Sequence, residues 1–85
     1  QPPSIMSELS DHKDSELFSY NRSWADIEGM LSRAERKLNF HNNAMLNASS
    51  KQDRLHHMRN YKALQGVVKT LRWVLGDMRV QHPLD

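Results

Sequence analysis

Asp53, His56 and His57 set one carboxylate and two imidazoles within five consecutive residues, and a further imidazole, His41, lies sixteen positions upstream of His57. Asp53 and His57 stand at i and i+4, the spacing at which one helical face can offer two ligands to a zinc ion. Two ligands do not close such a site. The His-Glu-x-x-His arrangement of zinc hydrolases does not occur in the chain, so neither a metal nor another cofactor is expected. Without a metal, imidazoles can still titrate. His41 and His57 each fall on an apolar helical seam, where a polar ring fixes alignment while neutral and loosens the contact on gaining a proton near pH 6. They form the candidate pH-sensitive seam.

Catalysis has little to work with. There is no glycine-rich phosphate loop, no nucleophile elbow and no pair of carboxylates set to face one cleft, and a thin helical rod offers no concave pocket of ordinary ligand size. The expectation is a protein that is not an enzyme and takes no small-molecule substrate. A stripe of cations, Lys62, Lys69, Arg72 and Arg79, with Gln65 among them, recurs at helical spacing and could follow a phosphate backbone. It is short. No helix-turn-helix, stacking platform or zinc-finger spacing accompanies it, so an acidic protein partner or plain solvent fits it better than nucleic acid.

The elements that must carry these residues are written in the apolar spacing. Leu17, Tyr20, Trp24, Ile27, Leu31, Ala34, Leu38, His41, Met45 and Ala48 recur at alternating intervals of three and four, a helical period that strand alternation cannot produce. A second series, Tyr61, Leu64, Val68, Leu71, Leu75 and Met78, follows the 47–50 cluster out of phase with the first. The fold class is therefore all-α: an antiparallel two-helix hairpin with coiled-coil-like packing, because a short connection makes consecutive helices antiparallel neighbours. Helix one has two candidate caps, Asp14 or Ser15, and Ser23 with Asp26 as a capping box. The apolar series crosses Ser23 without a break, which favours a helix over 15–47. A turn over 48–50, capped by Ser49 with Gln52 or by Ser50 with Asp53, leads to a second helix over 51–79 and a tail over 81–85, with Pro83 ending any continuation. At ~1.5 Å per residue such helices would make a rod about 45 Å long. Gly29, on the outward side of helix one, costs up to about 1 kcal/mol relative to alanine unless something packs closely on it.

A hairpin of this size buries only part of its apolar surface, and with no cysteine to staple it the usual remedy is association. Helix two carries the means. Ala63, Gly66, Val67, Thr70, Trp73 and Val74 form a second stripe about a third of a turn from the seam, with small residues admitting another backbone and Val67, Trp73 and Val74 supplying apolar area. This is the candidate interface for a second copy or a larger protein partner, and a multi-helix bundle or ring is the expected product. Charge is segregated in the same sense. Residues 1–28 hold six acids against two bases, a net −4, whereas residues 29–85 hold ten bases against four acids, a net +6, so the front of one subunit can attract the body of another.

Residues 1–14 hold Pro2, Pro3 and only three scattered apolar residues, Ile5, Met6 and Leu9, and read as a flexible arm that either stays mobile or lies along a neighbour and orders there. No apolar run approaches the ~20 residues of a membrane span and no signal peptide is evident, so a soluble chain, cytoplasmic or virion-associated, is expected. The sequons Asn21-Arg22-Ser23 and Asn47-Ala48-Ser49 are read as coincidence in a chain rich in both residues.

Residues 59–77, with Leu64-Gln65-Gly66 followed by Leu71-Arg72-Trp73-Val74-Leu75, resemble the last helix of small all-helical proteins of tailed bacteriophages, where Leu-x-Gly and Leu-Arg-Trp-x-Leu close a short chain. The resemblance covers about a quarter of the sequence and implies a virion-assembly role, as a head, connector or small packaging subunit. It carries over no functional residue. Three functions are thus open: an assembly module, a nucleic-acid accessory using the basic stripe, and a helical regulator that masks a partner protein.

Overall fold

The computed structural model of the chain describes Leu17 and residues 21–85; the expected arm over 1–14 and the caps at Asp14 and Ser15 lie outside them. Two helices, α1 (Trp24–Leu46) and α2 (Lys51–Val74), pack side by side as the antiparallel hairpin that the spacing implies. Their lengths, 23 and 24 residues, make the rod about 35 Å at ~1.5 Å per residue, shorter than expected because both ends differ.

The start of α1 corrects the expected helix over 15–47. Ser23 Oγ accepts from the Asp26 amide at 3.0 Å while the Asp26 carboxylate accepts from the Ser23 amide at 3.2 Å. This reciprocal capping box holds Ser23 in extended backbone, φ −77° and ψ 162°, so no continuous helix runs through it. Apolar spacing is blind to such a break, because an extended residue can keep the count while changing the direction of the chain. Leu17 and Trp24 accordingly lie outside the packed seam, at 80 % and 65 % exposed, and Tyr20 is not among the described residues.

From Ile27 onward the register packs as spaced. Ile27, Leu31, Leu38 and Met45 on one side and Tyr61, Leu64, Leu71 and Leu75 on the other are half-buried, and among the described residues only Ala34 and Val68 reach full burial. The turn over 47–50 is closed by Asn47, whose side-chain amide donates to the Asn43 carbonyl at 2.9 Å, and by Ser50, whose hydroxyl accepts from the Asp53 amide at 3.0 Å. Of the two candidate caps for the second helix, Ser50 with Asp53 is the one used.

The end of α2 corrects the expected 51–79. The Gly76 amide donates to the Trp73 carbonyl and the Asp77 amide to that of Arg72, at 3.0 and 2.9 Å, the paired bonds of a Schellman stop, with Gly76 at φ +85°. Helical backbone cannot continue through that left-handed residue. Met78, expected in the seam, is 84 % exposed as a result. Gly76→Ala is expected to cost roughly 1–2 kcal/mol through the left-handed strain of a side chain, whereas Gly29→Ala, whose added Cβ meets open space, should gain up to about 1 kcal/mol. Urea unfolding midpoints moving in opposite directions are the expected result; two shifts of the same sign would contradict it.

Candidate functional site

The second stripe of α2 lies in solvent. Ala63, Gly66, Val67, Thr70, Trp73 and Val74 are all exposed, with Trp73 at 50 % and Val67 at 43 %. The physical reason is the narrowness of the contact: two rods meet along one line, so a stripe a third of a turn away finds no third layer among the described residues. A Cβ built on Gly66 meets no atom within 4 Å, so nothing inside the hairpin requires a glycine there. Trp24 at the start of α1 and Trp73 near the end of α2 bring both tryptophans to the open end of the rod, whereas Phe40 and Leu46 leave apolar surface near the turn. These last two were visible in the sequence as apolar residues that miss the register.

The cation stripe is only partly realised. Arg72 bonds Glu35 of α1 across the hairpin at 2.8 Å, with both side chains rather more than a third exposed. Arg79 corrects the expected stripe, because it lies beyond the Gly76 stop and is held at 2.7 Å by Asp77. Its guanidinium and amide bonds to Asp77 pull that carboxyl down to about 2, and the carboxylate in turn raises Arg79. Lys62 is exposed and Lys69 half-buried. The segment after Gly76 lies beside the hairpin, where Arg79, Val80 and Pro83 line an open groove of about 700 Å³ with Leu38, Lys69 and Arg72. The Glu35–Arg72 pair escaped the sequence reading because residues 37 apart announce no contact until the rotation of both helices is known.

The histidines of the two seams meet. His41 Nδ1 lies 3.0 Å from His57 Nδ1, and His57 Nε2 lies 3.5 Å from the Asp53 carboxylate. His56 packs edge-on to His57 with ring centroids 5.0 Å apart, and Phe40 sits edge-on to His41 at the same distance. Desolvation lowers the His41 pKa below its ordinary 6.5, and the neighbouring charges of His57, His56 and Lys37 lower it further. Among the described residues, no group of three or more His, Asp or Glu side chains is placed to hold a metal ion.

These features define a class: a small all-α helical hairpin with a thin core and an apolar stripe on α2 that is exposed. Compared with known proteins, the chain matches no family model, no curated sequence and no solved structure. No described helix is long and apolar enough to cross a membrane.

Proposed function

We propose that this protein is a non-enzymatic assembly module whose α2 face, Ala63, Gly66, Val67, Thr70, Trp73 and Val74, packs against the same face of a second copy. One observation carries the reading: full burial is reached only at Ala34 and Val68 among the described residues, while Trp24, Val67, Trp73 and Val74 remain exposed. A core so thin gains most from covering the remaining apolar stripe. A second copy is favoured as the occupant because the stripe sets small residues beside bulky ones, so that a symmetric pair can seat each Trp73 over the partner's small positions. The opposed charges of residues 1–28 and 29–85 supply attraction between copies in addition. The resemblance of residues 59–77 points to a virion as the setting.

The test is sedimentation of the full chain over a wide concentration range, with and without duplex DNA. A dimer or higher oligomer without DNA supports the proposal, and a monomer at high concentration overturns it. The nucleic-acid alternative draws on Lys62 and Lys69, since Arg72 and Arg79 are engaged by Glu35 and Asp77. Steep loss of DNA binding with added salt, abolished by replacing both lysines, would put that reading in its place. A monomer that binds no DNA leaves the regulator that masks a partner protein as the reading to pursue.

A further inference from the structure

We propose that His41 and His57 form an acid-sensitive latch at the turn end of the hairpin, closed while their facing nitrogens share one proton and released when both rings are protonated. The geometry is specific about protons. At 3.0 Å between the two Nδ1 atoms, one nitrogen donates and the other accepts; a doubly protonated pair would present two N–H groups and two positive charges to each other. Asp53, 3.5 Å from His57 Nε2, sets the direction. Its carboxylate favours the His57 proton on Nε2, which leaves the Nδ1 lone pair to accept from the Nδ1–H of His41. The contact thus tolerates a neutral or a singly charged pair and excludes the dication.

The surrounding charges sharpen the release. From α1, Lys37 stands one turn before His41; from α2, His56 flanks His57. Both disfavour added positive charge on His41, while the Asp53 carboxylate meets His57 at Nε2, away from the nitrogen that faces His41. His41 therefore takes up a proton less readily in the fold than in the free chain. His41 sits below its ordinary 6.5 in the fold, so as pH falls through that value the unfolded chain takes up a proton at His41 that the hairpin does not, and stability declines until His41 is protonated in the fold too. Asp77, with its carboxyl near 2, titrates far below this window. The two events separate on the pH axis.

This inference is independent of how the α2 face is used. The test is thermal unfolding of the full chain between about pH 7.5 and about pH 5, where imidazoles change charge, together with an NMR titration that reads both nitrogens of each ring. The melting temperature of the natural chain should fall on acidification. His41→Gln and His57→Gln should each flatten that fall, the double variant should flatten it no further, and His82→Gln should leave it unchanged. Repeating the series in a Trp73→Ala background separates a lost latch from a lost oligomer. If both single variants keep the full acid-induced fall, or if His41 in the natural chain titrates at or above 6.5, the latch does not exist. The NMR titration needs no variant, so a failure of either substitution to fold does not protect the proposal.

Discussion

Val68→Asp is expected to leave the chain unfolded at neutral pH, read as loss of helical circular dichroism in the absence of denaturant. Val68 and Ala34 are the two described residues that reach full burial. An ionised carboxylate at so buried a point carries a desolvation cost of several kcal/mol, which the half-buried Arg72 one turn on offsets only in part. The described stretch of about 65 residues supplies a total stability of only about 3–10 kcal/mol, at roughly 0.05–0.15 per residue. The single substitution is therefore comparable with everything that holds the hairpin together. Val68→Ala removes two methyl groups and should cost roughly 1.6 kcal/mol at ~0.8 per group, plus whatever cavity remains. A folded, cooperative Val68→Asp protein would mean that the seam is too loose to exclude water.

The second large effect belongs to the uncovered face. Trp73 is half exposed in the single hairpin, and burying the remaining ~100 Å² of so large a side chain contributes about 2.5 kcal/mol per subunit. In a symmetric dimer that contribution occurs twice. Trp73→Ala is thus expected to raise the dimer dissociation constant at least tenfold and by up to about a thousandfold, measured by sedimentation equilibrium. Gly66 gives a companion test in which two effects run in opposite directions. Gly66→Ala adds a methyl group that meets nothing within the hairpin, so helix propensity alone should raise the stability of the single chain by up to about 1 kcal/mol. If a second backbone lies against Gly66, the same methyl group weakens association. Association unchanged by both variants would remove the face from the proposal.

Much of the architecture was legible in residue order because it depends on short-range chemistry. Ile27, Leu31, Ala34 and Leu38 announce a helical seam by spacing alone, and Ser50 with Asp53 announces a cap. The two helix boundaries that differ from the spacing are also set by local chemistry. The apolar periodicity that crosses Ser23 masks the Ser23–Asp26 box, and the continuing count through Leu75 and Met78 masks the stop at Gly76-Asp77. In both places hydrogen bonds of the backbone ends decided the outcome, because a satisfied amide or carbonyl at a helix terminus outweighs one more apolar side chain in register.

The candidate sites divide along the same line. That Ala63, Gly66, Val67, Thr70, Trp73 and Val74 share one side of a helix follows from 3.6 residues per turn and needs no partner helix. Whether that side is covered is a property of the packed pair, and here it is bare. The engagement of Arg72 by Glu35, and the 3.0 Å approach of His41 to His57, depend on how far each helix is rotated about its own axis and slid along its neighbour. Those two degrees of freedom are set by the summed packing of the whole seam, which no single residue or spacing contains. Local order thus decided which residues travel together on each rod, and only the docking of one rod on the other decided which of them meet.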